Sequence, residues 1–393
     1  MIKNITIKTV SPVHVGGKTQ ELTPMEAVVT GGNCYVVDET LLGAELLAKK
    51  RLDSLAVEIS RQGPRFELGG YLKGLGFLNK NFLDKVSIYR CQTPLTKTPG
   101  RLRPFVRDAY GQPFVPGSSI KGFIRTAIMY SILKKMKSQQ SHQFELFVES
   151  IKRKLNEYLR AEDWQRSKPA FKDSIKRNMA AQIENELMQK FNLPVPVSGG
   201  RGPTGPNRDF MRVLKVSDST ALSKEALTLQ EVQILSLTGT GKEVYLKTPL
   251  YAEVIPPGAE LSFSVTLDEP LLETFARQNK GNVPFESLRD VMQMIEDFAR
   301  DIWGYEKDYW QKLTGPGVRN MRDFYSSSPA GWRIGWGSGL VGASLLMLLP
   351  VDLAREIRDA LFMPRGDAAF PKSRRAVMED GIPRWPLGWM TVI

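Results

Sequence analysis

The beginning of the chain alternates between apolar and polar residues. Ile5 and Ile7 fall on one face, with polar residues between and after them, and the alternation ends in the stretch SPVHVGG at 11–17. A period of two is typical of a half-buried β-strand, and proline and paired glycines are typical of turns. The sequence therefore predicts a strand that leads into a glycine-containing turn.

A second alternating segment begins after the turn PPG at 256–258. Apolar residues occupy every other position from Leu261 to Leu267, and serine or threonine occupies the positions between them. This pattern predicts another half-buried strand.

Two segments have the three-and-four spacing of an amphipathic helix. In the first, which follows PFVPGSS, Ser118 or Ser119 is expected to be the N-cap. Its predicted face is formed by Ile120, Phe123, Ile124, Ala127, Ile128 and Ser131. The second helix is predicted over 285–302, with a face formed by Leu288, Val291, Met292, Ile295 and Phe298.

A long charged stretch follows the first helix. Residues 134–190 keep helical periodicity and carry many Lys, Arg and Glu on the opposite face, and the run LPVPVSGGRGPTGPNR ends the pattern. We interpret this stretch as a helical insertion, at about 134–195, followed by a flexible loop. No repeat of fixed short period occurs, which argues against a solenoid.

The order of the predicted elements indicates the α+β class. A chain of 393 residues is long enough for two cores. We divide it into an N-terminal domain at 1–215, which carries the insertion, and a C-terminal domain at 216–393, which carries a glycine-rich loop at 335–339.

The charge balance favours a polyanionic partner such as nucleic acid. The chain has 54 Lys and Arg against 42 Asp and Glu, a net charge of +12 and a pI near 9.5. Two cysteines without a CxxC motif exclude a disulfide scaffold, and the longest apolar stretch, around 340–349, is too short to span a bilayer. We therefore expect a cytoplasmic protein that does not cross a membrane.

The stretch RIGWGSGLVGASLL at 333–346 contains a G-x-G-x-x-G pattern made by Gly337, Gly339 and Gly342. A dinucleotide-binding unit needs a strand, a helix, a second strand ending in an acidic residue, and further strands behind them. Too few residues follow Gly342 in a chain of 393 for that arrangement. Phosphate-loop patterns also fail, and we expect no nucleotide cofactor.

The chain has only two histidines, His14 and His142, which limits the chemistry that histidine can provide. A histidine-based metal site or a Ser-His-Asp triad is therefore not expected. His14 could contact a phosphate, act in acid-base cleavage of RNA, or be a turn histidine bonded to the backbone. The sequence leaves these three roles open.

Basic residues cluster beside turns in three places. The stretch PGSSIKGFIR enters a helix, so its amide groups together with Ser118, Ser119, Lys121 and Arg125 could hold a phosphate; the alternative is a capped helix with two solvated cations. Two further clusters interleave with proline or aromatic residues, which suits a nucleic-acid backbone. They are Arg101, Arg103 and Arg107 in GRLRPFVR, and Lys372, Arg374 and Arg375 in PKSRR.

Five stretches taken together resemble a known family. They are SPVHVGG, FVPGSSIKGFIRTAI, DFMRVLKVSDS at 209–219, RIGWGSGL, and the pair PKSRRAV and PLGW near the end of the chain. Their order and spacing are similar to those of the RAMP superfamily of CRISPR proteins, and most closely to its members in the Csm complex, the type III-A effector. The resemblance extends over almost the whole chain.

The resemblance implies a ferredoxin-like, RRM-type fold, with a second such domain that is degenerate. It also implies a structural subunit that binds and caps the 3′ end of the crRNA and packs on the last backbone subunit. Such a subunit is needed for crRNA 3′-end maturation through recruited host exoribonucleases and also meets the small subunits and the target RNA near the complex end. It does not cut RNA itself and needs no cofactor or metal. The alternative is a metal-independent endoribonuclease of the same superfamily that uses His14.

Carried onto this chain, the resemblance implies three RNA-facing turns. The first contains His14, Gly16 and Gly17; the second contains Ser118, Ser119, Lys121 and Arg125; the third follows Arg333 and contains Gly335, Gly337, Ser338 and Gly339. Glycine allows backbone amides to approach phosphate closely, so binding is expected to be largely independent of base sequence. The ring of Trp336 is expected either to fill the core or to stack on a base.

Overall fold

The computed structural model describes residues 1–17, 21–159, 169–193, 205–239, 241–329, 331–361 and 371–393. Helices and strands are mixed along the chain and the strands form two sheets, which confirms the α+β class. The strands are β1 (Ile2–Thr9), β2 (Ala27–Thr30), β3 (Asn33–Val37), β4 (Ser87–Gln92), β5 (Leu214–Val216), β6 (Thr228–Leu237), β7 (Val244–Val254), β8 (Glu260–Leu267), β9 (Trp332–Arg333), β10 (Ser373–Glu379), β11 (Ile382–Pro386) and β12 (Trp389–Val392).

The helices differ widely in length. They are α1 (Glu39–Ala48), α2 (Leu52–Gln62), α3 (Leu68–Gly74), α4 (Lys80–Val86), α5 (Gly117–Gln139), α6 (Ser141–Leu159), α7 (Pro169–Leu187), α8 (Glu269–Gln278), α9 (Leu288–Gln311), α10 (Val318–Tyr325), α11 (Gly339–Gly342) and α12 (Val351–Leu361). Short 3₁₀ helices lie at Gly63–Arg65, Pro206–Arg208, Phe210–Val213 and Trp336–Ser338.

The first sheet has five strands in the order β5-β8-β1-β12-β9, and every neighbouring pair is antiparallel. The two strands predicted from alternation, β1 and β8, lie side by side, with Ile5 opposite Phe263 and Ile7 opposite Leu261. All four side chains are buried, because alternate residues of a strand point to the same face of the sheet. Both predicted strands are confirmed.

Helices α5 and α9 pack together against this sheet. The ring of Phe123 in α5 lies 5.8 Å from that of Phe298 in α9 and 5.4 Å from that of Trp332 in β9, measured between centroids. Every apolar residue predicted for the α5 face is buried. Helix α9 begins at Leu288, behind a Ser287 and Asp290 capping box, and continues to Gln311, well beyond the predicted end at 302.

The prediction that Ser118 or Ser119 is the N-cap of α5 is wrong. The helix begins at Gly117 with Pro116 as its N-cap, so both serines lie in its first turn. Pro116 has no side-chain acceptor, and the amide of Gly117 instead donates to Oδ1 of Asp218 at 2.7 Å. A carboxylate from a distant segment therefore accepts a hydrogen bond from the start of the helix, as a capping serine would.

The second sheet has the order β11-β10-β6-β4-β3-β2, and β7 also pairs with β6. Both sheets take strands from each side of the predicted domain boundary at 215–216, which falls inside β5. The two sheets are therefore not the two halves of the chain, and the division into two domains stays a prediction.

The described part of the predicted insertion is mostly helical. Helix α5 continues past 134 to Gln139, and α6 and α7 follow it. Residues 160–168 lie outside the described residues, as do residues 194–204, which make up most of the predicted flexible loop at 193–208. The described end of that loop forms the 3₁₀ helix Pro206–Arg208. In the described part of the chain, no helix combines the length and the apolar character needed to cross a membrane.

Candidate nucleic-acid interface

Two of the three predicted turns, the one after β1 and the one after β9, meet in the structure. The carbonyl oxygen of His14 accepts a hydrogen bond from the amide of Trp336 at 2.9 Å. The two rings pack edge to face with their centroids 5.6 Å apart. The stretch SPVHVGG and the glycine-rich loop at 335–339 are therefore in direct contact at the surface around Trp336.

His14 is almost completely buried, with 2% of its surface exposed. Its Nδ1 lies 2.7 Å from the carbonyl oxygen of Glu253, and since a carbonyl only accepts, Nδ1 carries the proton. Burial lowers the pKa of His14 below its ordinary 6.5; the hydrogen bond to Glu253 opposes this effect and the charge of Arg103 adds to it. The ring is therefore neutral at pH 7 and bonded to the backbone, as in the third role left open by the sequence.

Two glycines of the loop at 335–339 are required by close packing. Gly335 has a φ of +89°, and a Cβ added to it would fall against the carbonyl oxygen of His14. A Cβ on Gly337 would overlap the side chain of Leu387. These glycines allow the loop to lie directly on neighbouring segments of the chain.

The ring of Trp336 is partly buried and lies close to two arginines. The guanidinium of Arg375 is 4.3 Å from the ring centroid and that of Arg103 is 4.9 Å from it. Beneath, the ring packs on a cluster of buried apolar residues from β6, β7 and β10 together with Leu387. Burial, and then the charge of Arg103, lowers the pKa of Arg375 below its ordinary value, because loss of water and a nearby cation both disfavour the charged form.

The remaining predicted residues of these turns lie at the edges of the same surface. Gly16 and Gly17 are exposed, and no atom lies within 4 Å of the position of a Cβ on Gly339. The Ser338 hydroxyl donates to the carbonyl oxygen of Gly335 at 2.9 Å. Arg103 pairs with Glu21 at 2.8 Å, and the same carboxylate is 3.8 Å from the mostly exposed Arg101.

Arg333 and Arg374, both predicted to bind RNA, are instead buried beneath the surface. Arg333 is 3% exposed and Arg374 is 8% exposed. Both pair with Glu306, at 3.3 Å from Arg333 Nη1 and 2.8 Å from Arg374 Nε. Burial alone would raise the pKa of Glu306, but the charges of Arg374 and Arg333 outweigh it and hold that pKa below 4.5. The sequence cluster PKSRR therefore divides into a buried arginine and a partly exposed one, Arg375.

The second predicted turn lies at the opposite edge of the first sheet, beside β5. Lys121 Nζ donates to the carbonyl oxygen of Leu214 at 2.6 Å, and Arg125 Nη2 pairs with Asp209 at 2.8 Å and Glu184 at 3.1 Å. The carboxylate of Asp218 occupies the start of the helix. Lys121 and Arg125 are therefore both bonded to other residues of the chain. The second turn does not join the surface formed at the other two turns.

Sequence reasoning missed the acidic residues that hold these cations. Glu306 follows Ile295, Phe298 and Ile302 at helical spacing, so its place on the apolar face of α9 could have been recognised. Asp209 and Asp218 lie within the stretch DFMRVLKVSDS, whose role in holding α5 only the fold reveals.

No group of three or more His, Cys, Asp or Glu side chains is placed to hold a metal ion among the residues that the structure describes. The surface around Trp336 instead combines an aromatic ring, guanidinium groups and exposed glycine backbone. Such surfaces suit single-stranded nucleic acid, because rings stack on bases and cations contact phosphates.

The fold and this surface agree with the result of a family comparison. The model of the RAMP superfamily matches residues 6–327. The chain belongs to the RAMP superfamily.

Curated relatives refine the comparison. The chain is 22% identical over 282 residues to the CRISPR system Cms protein Csm5 of Mycobacterium tuberculosis, and the match covers 67% of this chain and 66% of that protein. It is 21% identical over 322 residues to Csm5 of Streptococcus thermophilus, covering 78% of this chain and 70% of the relative. The chain thus spans slightly less than two thirds of the length of the first relative.

Solved structures share the fold. A chain of the cryo-EM structure of a Csm-crRNA-target RNA ternary complex in a type III-A CRISPR-Cas system superposes with a TM-score of 0.70 at 23% identity, covering all of both chains. The crystal structure of T. onnurineus Csm5 gives a TM-score of 0.61 at 22% identity and covers 98% of this chain and 100% of that one.

Proposed function

We propose that this protein is a structural, RNA-binding subunit of a type III-A Csm effector, and that it caps the 3′ end of the crRNA. Support comes from membership of the RAMP superfamily, from the similarity to Csm5 proteins, and from the shared fold with one chain of a Csm-crRNA-target RNA complex. Its partners in this proposal are the crRNA, the Csm backbone and small subunits, target RNA near the end of the complex, and exoribonucleases that mature the crRNA 3′ end.

The topology of the first sheet supports a ferredoxin-like fold. Along the chain, β1, α5, β5, β8, α9 and β12 follow the order βαββαβ, and in the sheet these strands lie in the order β5-β8-β1-β12. This is the antiparallel arrangement of a ferredoxin-like unit, with its two helices packed together. We include this fold in the proposal, with the insertion of α6 and α7 between α5 and β5.

The observation that carries the RNA-binding proposal is the position of Trp336. Its ring lies beside two guanidinium groups. Burial and then the charge of Arg103 lower the pKa of Arg375, and an anion placed beside Arg375 would offset both effects. The exposed glycines at 16 and 17 and the open position at Gly339 leave room for a phosphate backbone at the edges of the same surface. Contacts of this kind do not read bases.

The double variant with Arg103→Ala and Arg375→Ala is expected to bind single-stranded RNA more weakly, to a similar extent for unrelated sequences. The slope of log affinity against log salt should fall by about 0.7 for each lost phosphate contact. Fluorescence anisotropy over a salt series measures both quantities. The matched control is Arg300→Ala, which removes an exposed arginine from α9. Unchanged affinity and slope in the double variant would refute a phosphate-binding role for this surface.

The alternative function, RNA cleavage by His14, is not favoured by the geometry. The Nδ1 bond to a backbone carbonyl leaves Nε2 as the basic atom, but the ring is 2% exposed, so a substrate proton has no direct access to it. We expect the purified protein to leave labelled RNA intact in EDTA. Cleavage that is present in the wild type and disappears in His14→Ala would overturn the structural assignment.

A further inference from the structure

A cavity of about 390 Å³ lies between the glycine-rich loop and the second sheet. Its walls come from β6, β7, β10, α9, α12 and residues 337–341, and Ser338 and Gly339 lie on one side of it. The volume is in the range of pockets that hold small molecules. It is next to the candidate interface, since Arg375 lines it and also contacts Trp336.

The described lining of this cavity is strongly basic. Its only acidic side chain is Glu306, which pairs with Arg333 and Arg374. The cations among the described lining residues are Lys247, Arg333, Arg358, Lys372, Arg374 and Arg375. The excess of positive charge suits an anionic ligand, and partial burial strengthens that attraction by excluding water.

Arg374 provides a specific donor. Its Nε contacts both oxygens of Glu306, and its Nη1 donates to the carbonyl oxygens of Pro371 and Ser373. Its Nη2 is buried and has no hydrogen-bond partner within the part of the chain that the structure describes. A buried charged donor without an acceptor is unfavourable. The atom is closed off from solvent, so a small shift of the lining that admits a ligand oxygen to Nη2 would stabilise it.

We propose that this cavity binds a phosphomonoester, either the terminal phosphate of an RNA strand or the phosphate of a mononucleotide. Arg374 Nη2 donates to the phosphate, and Lys372 neutralises part of its charge. Only a group that enters the cavity reaches Arg374, which is 8% exposed. A phosphomonoester enters end-on, whereas a phosphodiester brings a ribose on each side. The monoester also carries more charge, about −1.5 to −2 at pH 7.

Binding of an RNA terminal phosphate rests on the proposed function, whereas binding of a mononucleotide does not. The test therefore uses free ligands and RNA strands separately. Inorganic phosphate and AMP are titrated against the full chain with thermal unfolding as the readout, since a ligand of the folded state raises the melting temperature. One RNA sequence is then prepared with a 5′-phosphate, with a 3′-phosphate and with hydroxyls at both ends. The measured quantity is the ratio of Kd for the hydroxyl-ended strand to Kd for each phosphorylated strand.

We expect a ratio of about ten for at least one phosphorylated strand, which is the effect of one charge-assisted hydrogen bond. Lys372→Ala and Arg374→Lys should both bring the ratio close to one, and Lys372→Arg should retain it. The control is Lys242→Ala, an exposed lysine outside the cavity. Lys372 does not pair with Glu306, so its variants test the site even if Arg374→Lys is unstable.

A ratio of one for every strand, together with no stabilisation by phosphate or AMP, would overturn the proposal. A raised ratio that Lys372→Ala and Arg374→Lys leave unchanged would place the phosphate elsewhere and would also overturn it. Stabilisation by AMP that both variants abolish, without binding of any RNA, would support a mononucleotide site and refute the RNA-binding function. Tight binding of RNA with a ratio of one, and no response to AMP, would refute only the cavity.

Discussion

Replacement of Glu306 by glutamine is expected to lower the free energy of unfolding by about 3–5 kcal/mol, because it leaves two buried guanidinium groups without their counter-charge. Glu306 is 1% exposed and is held by Arg333 and Arg374, which are themselves buried. Glutamine has nearly the same shape, so the loss reports charge and not volume. Urea unfolding followed by circular dichroism measures the difference.

The control for this prediction is Glu296→Gln, which changes an exposed residue on the same helix and should have little effect. The difference between wild type and Glu306→Gln should also depend on pH. Because the pKa of Glu306 is held below 4.5, its contribution is complete above pH 4.5 and is lost as pH falls through its lowered pKa. Equal stability of the two proteins at neutral pH would show that the three charges do not stabilise the fold.

Gly335→Ala is also expected to lower the stability strongly, because Gly335 lies where the turn after β9 contacts the turn after β1. Gly335 adopts φ +89° and ψ −169°, a region that only glycine occupies readily, and its Cβ would meet the carbonyl oxygen of His14. Backbone strain should cost about 1–3 kcal/mol. The overlap should add a further 1–3 kcal/mol or so, since the same oxygen accepts the hydrogen bond from Trp336.

Gly339→Ala separates these two contributions. Gly339 has a similar backbone conformation, φ +65° and ψ −173°, but no neighbouring atom lies within 4 Å of its Cβ position. It should therefore lose stability through strain alone, and it should lose less RNA affinity than Gly335→Ala. If the two variants lose the same stability in thermal unfolding, contact with His14 does not hold the loop.

Local periodicity was sufficient to predict two strands of the first sheet, β1 and β8, and the helices α5 and α9 that pack against it. The alternation around Ile5 and from Leu261 to Leu267, and the helical spacing after Gly117, all correspond to elements of the structure. These patterns arise because one face of each element contacts the core. The apolar residues of that face repeat at a regular spacing within a short stretch of sequence. Bounds and caps were less predictable, since the cap of α5 comes from Asp218, far along the chain.

The candidate site was predictable only in part, because a basic residue carries the same local signal whether it is exposed or paired. Arg374 and Arg375 are neighbours in the sequence, yet alternate residues of β10 point to opposite faces and only Arg374 is directed to Glu306. Glu253 shows the converse problem. It alternates with the buried Ala252 and Val254 as an exposed residue would, but it is completely buried and its carboxylate accepts the amide of Phe105.

The order of strands in the first sheet has a consequence for the time at which the protein can fold. β1 is made first, but its two neighbours in the sheet are β8 and β12, and Ser11 accepts the amide of Trp389 across a separation of 378 residues. A ribosome must therefore synthesise the chain from β1 as far as β12 before β1 has a partner on both sides. Long-range pairing of this kind slows folding. The helices α5, α6 and α7 contact one another, so they can form before the central strand of the sheet has both neighbours, although α5 meets α9 only later.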